Sequence, residues 1–151
     1  MNRRPALLAA AGVCALAFTS SCTTTQQPAA PAAVTWQSVA KTDAQEAFVE
    51  SGSIQSIGGM LQASVKQDYA QPQPAAKEGR SYLSTRTVYR FDCAQRRVAM
   101  KDVRAFAGSD LQGEAVQKAT STDKSLQWLD APAATVFGEL LDYVCKNGPG
   151  G

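Results

Sequence analysis

The sequence predicts an α+β domain: an antiparallel β-sheet with one C-terminal amphipathic helix packed on one face and stapled to it by a disulfide. Three observations carry this. Residues 61–69 and 80–93 alternate apolar and polar side chains with period two, the signature of a half-buried strand. Residues 130–146 switch to helical spacing. Two cysteines, Cys93 and Cys145, fall in the second strand pattern and in the helix. Strands followed by one helix with a single apolar stripe make a sheet with a helix laid on it.

Taken in order, Leu61, Ala63, Val65 and Tyr69 point one way, and Gln62, Ser64, Lys66 and Asp68 point the other. In the next strand Leu83, Tyr89, Phe91 and Cys93 share the apolar face, and Arg80, Arg86 and Arg90 the opposite one; Thr85, Thr87 and Val88 add β-branched side chains that suit a strand. Val98 and Met100 restart the alternation after a short turn, so 82–92 and 97–106 form a hairpin. The pattern slips near Lys101-Asp102, which a β-bulge explains. Shorter strands are expected at Val34–Ala40, Ala47–Glu50 and Leu111–Ala119, with a turn at Gly58-Gly59 and a long flexible connection over Ala70–Gly79. The helix starts with Asp130 as N-cap and Pro132 in its first turn. Ala133, Phe137, Leu140, Leu141 and Val144 form its apolar stripe, and Asp142 and Lys146 sit at i, i+4. Gly148 ends it.

The N-terminus reads as a targeting segment. Arg3 and Arg4 precede an uncharged apolar run, Ala6 to Phe18, and Ser20-Ser21-Cys22 follows. That is a secretory signal peptide over 1–21, and the small residues before Cys22 resemble a bacterial lipobox, whose Cys thiol takes a diacylglyceryl group. The alternative is ordinary cleavage that leaves Cys22 a plain thiol. Residues 22–33, uncharged and rich in Thr, Pro and Ala, form a lipid-anchored flexible tether, and 34–148 form the folded domain. Cysteine parity agrees. Of four Cys, Cys14 is removed with the signal and Cys22 is acylated, leaving Cys93 and Cys145 to pair. Such a bridge closes a loop of about 52 residues, worth roughly 4 kcal/mol in the chain-entropy picture; two buried thiols that never pair are the alternative.

Charge and composition exclude several functions. The formal charge is +2, and removing Arg3 and Arg4 balances the chain at 13 basic against 13 acidic residues. A nucleic-acid binder keeps a basic excess, so no nucleic-acid partner is expected. The chain has no His, which removes His-based triads and His-ligated metal or haem sites. There is no GxSxG, P-loop or GxGxxG. Glu46 and Glu50 fit a carboxylate pair only loosely, and no enzyme, metal or cofactor is expected.

Trp36, Glu50 ahead of Ser53-Ile54, the strand Met60–Val65, Phe91-Asp92-Cys93 followed by Arg96-Arg97, then Trp128, and a final helix ending in Val144-Cys145 together resemble the bacterial surface-adhesin protein E-like domain family. The resemblance implies an antiparallel sheet with a C-terminal helix, a lipid anchor in the outer membrane, a disulfide, and self-association as a homodimer. It also implies binding of host extracellular-matrix or serum proteins. Haem binding is attributed to the founding members, and the usual His ligand is missing here.

The candidate binding residues are Arg80, Arg86, Arg90, Arg96 and Arg97, within a run from 80 to 104 that carries a local basic excess. An exposed row of this kind suits an acidic host or matrix protein, a glycosaminoglycan or anionic headgroups; the plainer reading is a solvated sheet face. The acidic residues Asp110, Glu114, Asp123, Asp130, Glu139 and Asp142 follow later, an asymmetry that equally suits self-contact. Trp36 and Trp128 are expected to pack under the helix. Two functions follow: a surface-exposed binding module, or a periplasm-facing structural or accessory lipoprotein that pairs with another envelope component.

Overall fold

The computed structural model describes residues 34–150. The segments expected to be a signal peptide and a tether, and Cys22 with them, lie outside the described residues. The chain runs β1 (Trp36–Lys41), β2 (Gln45–Glu50), β3 (Gln55–Ile57), β4 (Met60–Pro74), β5 (Ser81–Asp92), β6 (Arg97–Phe106), β7 (Ala115–Thr120), β8 (Trp128–Asp130) and α1 (Val136–Asn147), with single 3-10 turns at Ser51–Ser53 and Asp123–Ser125. The strands form one antiparallel sheet in the order β1-β2-β4-β5-β6-β7, with β3 added to β4 and β8 to β6 at one end. No helix among the described residues is long and apolar enough to cross a membrane.

The expected architecture is the observed one. Alternation puts Ala47, Val49, Ala63, Val65, Tyr89, Phe91 and Val98 on one face, where they meet Leu140, Leu141 and Val144 of α1 in a single buried cluster. Burying these side chains, at about 1.5–3 kcal/mol for each large aliphatic or aromatic one, is what holds a 12-residue helix that would be marginal alone. Tyr89 meets Phe137 edge-on with ring centroids 5.8 Å apart, and burial pushes its hydroxyl pKa up. Cys93 and Cys145 are bonded, with Cα atoms 5.9 Å apart. Cys93 lies just past β5 in the exposed turn to β6, not on the strand's apolar face, so the bridge joins the end of α1 to the hairpin turn. The bulge is also where the pattern slips: Val88 faces Asp102 and Tyr89 faces Met100, which leaves Lys101 as the extra residue.

Four local expectations change. Ala70–Gly79 is not a free connection. β4 continues to Pro74, with Gln73 opposite Tyr82 and Pro74 opposite Ser81 after a bulge between Asp68 and Gln73. Pro72 sits in that bulge, where a missing N–H costs no ladder bond. The helix starts later than Asp130, which ends β8 opposite Arg97. Thr135 is the N-cap, its hydroxyl accepting from the Gly138 N–H at 3.1 Å and donating to the Pro132 carbonyl at 2.7 Å. Pro132 and Ala133 therefore stay outside the helix, exposed. Asp142 pairs with Arg96 at 2.6 Å, and no pair joins it to Lys146. Lastly, the strand expected at Leu111–Ala119 starts only at Ala115, because Asp110 and Leu111 take positive φ in the turn before it. The short strands β3 and β8 carry too little periodicity to be read from three residues each.

Candidate functional site

The face opposite α1 is built by the even-numbered residues of β4 and β5 and their cross-strand partners. Register places Phe48 of β2, Lys66 of β4, Arg86 of β5, Arg104 of β6 and Lys118 of β7 directly opposite one another. Directly paired residues share a face, so four cations from four successive strands form one row across the sheet. At about 4.8 Å between strands the row spans roughly 14 Å.

The row is graded from shielded to open. Lys66 is 6% exposed. Its ammonium is paired with Asp110, lies 3.5 Å from Asp68, and stands 4.2 Å from the Phe48 ring centre and 5.8 Å from that of Trp36. A desolvated ammonium over an aromatic face gains from the ring quadrupole, which suits this end of the row to burial. Arg86 bonds Glu50 at 2.8 Å and lies 5.9 Å from the Trp36 ring; its side chain stays 46% exposed. Arg104 and Lys118 are exposed and have no ion-pair partner among the described residues. Two shallow depressions flank Arg104, one of about 340 Å³ lined by Arg86, Val88, Asp102 and Phe106, the other of about 380 Å³ bordered by Val116 and Lys118.

The five arginines expected from the sequence do not form one exposed stripe. Arg86 is on the open face as expected. Arg90 shares that face but is 6% exposed, covered by the segment that carries Asp123 and Trp128, and its Nη2 bonds Asp123 at 3.2 Å. Arg80 precedes β5 and pairs with Glu114 at 2.7 Å. Arg96 holds Asp142 of α1 and donates to the Ala131 carbonyl. Arg97 bonds Asp92 at 3.0 Å and stacks on Trp128, 5.3 Å from the ring centre. Each of the five thus has a carboxylate of its own chain. The later acidic residues Asp110, Glu114, Asp123 and Asp142 fold back onto Lys66, Arg80, Arg90 and Arg96. The charge asymmetry along the sequence is spent within the domain, which leaves Arg104 and Lys118 as the uncompensated cations of the row.

These pairs set the local titration. The Arg97 guanidinium holds the Asp92 carboxyl below its ordinary value, Lys101 does the same to Asp123, and Arg96 to Asp142. The Ser38 hydroxyl and the Lys41 ammonium lower Glu46. Glu46 and Glu50 face this side too, but one serves Ser38 and Lys41 and the other Arg86, so they do not converge. Among the described residues no cluster of three Asp, Glu, His or Cys side chains is placed to hold a metal ion. The tryptophans do not pack under the helix: Trp36 and Trp128 both lie on the opposite face, as platforms for Lys66, Arg86 and Arg97.

A family profile described as Surface-adhesin protein E matches residues 36–146. The chain belongs to that family. The match opens on the first residue of β1 and closes one residue short of the end of α1, so the whole sheet, the helix and both disulfide cysteines belong to the adhesin E-like domain. Two structures of Haemophilus influenzae protein E, the second its crystal form II, superpose with TM-scores of 0.52 and 0.54. Each is 14% identical, and the alignments cover 74% of this chain and 84% and 87% of theirs. At that identity the likeness is one of fold. No curated protein sequence matches the chain. Membership places the adhesin E-like chain among surface proteins of the cell envelope.

The sequence missed Lys66, Arg104 and Lys118 as members of one site. They lie on three different strands, and only the pairing register brings them into line with Arg86.

Proposed function

We propose that this adhesin E-like chain is a non-enzymatic lipoprotein, anchored in the outer membrane through an acylated Cys22 and a tether over 22–33, whose domain binds an anionic stretch of an extracellular or host macromolecule. The partner class is a glycosaminoglycan or an acidic host or matrix protein. The observation that supports this reading is the cross-strand row Lys66–Arg86–Arg104–Lys118, whose outer two members make no ion pair among the described residues. Like charges directly opposite each other destabilise a sheet. A purely solvated face would gain more from alternating signs.

The row deepens the expectation drawn from Arg86 and shifts its partners. Arg104 and Lys118 replace Arg90, which is buried, while Arg80, Arg96 and Arg97 hold loops, turn and helix in place. Binding through exposed cations is expected to weaken steeply with salt, because a Debye length of about 8 Å at physiological ionic strength screens them. The test is retention on immobilised heparin and on an acidic matrix protein. An Arg104→Gln/Lys118→Gln protein with an unchanged melting temperature should elute at clearly lower salt. Equal retention of both proteins, or no retention of either, would remove the proposal. Palmitate labelling of wild type against Cys22→Ser tests the anchor. Protease shaving of intact cells tests exposure; a domain that resists shaving in intact cells but is cleaved after lysis favours the periplasm-facing reading.

A further inference from the structure

At the end of the sheet where β3 and β8 are added, on the face opposite α1, Ile57, Gly58, Met60, Leu126 and Trp128 line a cavity of about 250 Å³. Its walls are mostly apolar, and its two charged members are Arg90 and Asp123. Arg90 is more than nine-tenths buried, and its Nη1 has no hydrogen-bond partner among the described residues. A buried guanidinium donor left unpaired carries the full desolvation penalty of that group, so this arginine is held at a cost the fold does not recover by itself. Lining a pocket with apolar side chains around one underused fork of donors is how proteins fix the orientation of a small carboxylate.

The present partner of the fork is easily spared. Asp123 reaches only Nη2, in a single bond at 3.2 Å, while its carboxylate is 67% exposed and is also held by Lys101 at 2.8 Å. It sits on one 3-10 turn that buries no residue. If Asp123 swings off, it keeps Lys101 and water, and Nη2 of Arg90 is released beside the cavity. Trp128 is held by the stacked Arg97 guanidinium, 5.3 Å from its ring centre, so that wall is preformed. The volume falls just below the range of about 300–1,000 Å³ for drug-sized ligands, which limits the occupant to a small group.

We propose that this cavity is a binding site for a carboxylate that carries one short apolar group, held by Arg90 in place of Asp123, with the tail against Met60, Leu126 and Trp128. It is separate from the cationic row and does not rest on that reading. Both a free aliphatic acid and the C-terminal residue of a peptide present this chemistry. The experiment uses the full chain with Trp36→Phe, so that Trp128 is the single tryptophan and is excited selectively over the four tyrosines. Hexanoate and N-acetyl-leucine are titrated beside their neutral counterparts, hexanol and N-acetyl-leucinamide, and beside inorganic phosphate. A saturable change in Trp128 emission is expected with one or both carboxylates, and it tells which source fits. The neutral counterparts should bind about tenfold more weakly or worse, as loss of a charge-assisted bond implies. Arg90→Met, which keeps an apolar stem, should abolish the preference for the carboxylate. Asp123→Ala, on an exposed side chain, should tighten carboxylate binding several-fold. Equal binding of acid and neutral counterpart, phosphate binding as well as either acid, or no saturable change in the Asp123→Ala protein would each overturn the proposal.

Discussion

Arg86 of β5 stands directly opposite Arg104 of β6, two guanidinium side chains on one face of an antiparallel ladder. Among the described residues only Arg86 has an ion-paired carboxylate, Glu50 at 2.8 Å. On the far side Arg104 meets Lys118, another cation. The arrangement lowers sheet stability and raises the local positive potential at once, and an incoming anion relieves both.

Replacing Arg104 with Thr, a good strand residue, is therefore expected to raise stability by about 0.2–1 kcal/mol while lowering the salt needed to elute the protein from heparin. Urea denaturation and the column read the two effects separately. A loss of stability would show that Arg104 contributes packing that outweighs the repulsion.

Much of the fold is legible because period-two alternation and helical spacing are local. Leu61, Ala63 and Val65 declare their face without any neighbour, as do Leu140, Leu141 and Val144. The bulge is visible because Lys101 interrupts a run that is otherwise regular. The site is not local. Lys66, Arg86, Arg104 and Lys118 are aligned by register, and a one-residue slip on any strand would send its member to the helix face. Arg90 reads as exposed for a related reason. Its cover comes from Asp123, Leu126 and Trp128, in segments too short and irregular to show a period. The same long-range folding hid the pairing of Asp110 with Lys66 and of Glu114 with Arg80.

The disulfide joins the β5–β6 turn to the last turn of α1 across 52 residues. A Cys93→Ser/Cys145→Ser protein is expected to lose about 2–5 kcal/mol, read by urea unfolding under non-reducing conditions. Arg96–Asp142 and the buried leucines still hold the helix in place, so its circular dichroism at low urea should match the wild type. An unchanged unfolding midpoint would refute the staple role.

Gly138 lies where the turn before α1 folds back on the helix. A Cβ there would fall far inside contact with the Pro132 carbonyl oxygen, 2.9 Å from that carbonyl's carbon and 3.2 Å from the Ala133 Cα. These are backbone atoms and cannot swing aside. Gly138→Ala should destabilise by at least about 1–3 kcal/mol, the usual range for overpacking, despite the better helix propensity of Ala. Glu139→Ala, next to it and exposed, is the control and should melt close to wild type. Equal melting temperatures for the two variants would contradict the close approach.

Acid should weaken the domain through its paired carboxylates. Asp92, Asp123 and Asp142 all titrate below their ordinary value of 3.8 because of Arg97, Lys101 and Arg96 respectively. A carboxyl whose folded pKa is depressed adds stability above its unfolded pKa and loses it as pH falls through the folded one. The loss should begin near pH 4 and deepen below it, with little change from there to neutrality. Asp92 is the one of the three that is buried, so Asp92→Asn should flatten the acid limb more than Asp142→Asn. Denaturant midpoints measured between pH 2 and 7 check both the onset and the order.

Arg86 and Arg90 are two strand periods apart on one face, yet their replacements should differ. Arg86 is 46% exposed and its Glu50 pair is a surface bond, the kind worth about 0–1 kcal/mol; Arg86→Ala should leave stability within that range. Arg90 is buried and lines the cavity with Leu126 and Trp128, and its Nη1 goes unpaired among the described residues. Arg90→Ala removes the stem and should cost about 1–3 kcal/mol. Arg90→Met keeps most of the volume and removes the unsatisfied donor, whose burial penalty is of order 1–3 kcal/mol, and Asp123 keeps Lys101. The Met variant should therefore be at least as stable as wild type. If instead Arg90→Met unfolds as readily as Arg90→Ala, the guanidinium itself stabilises the native fold, and its unpaired donor is not the burden described.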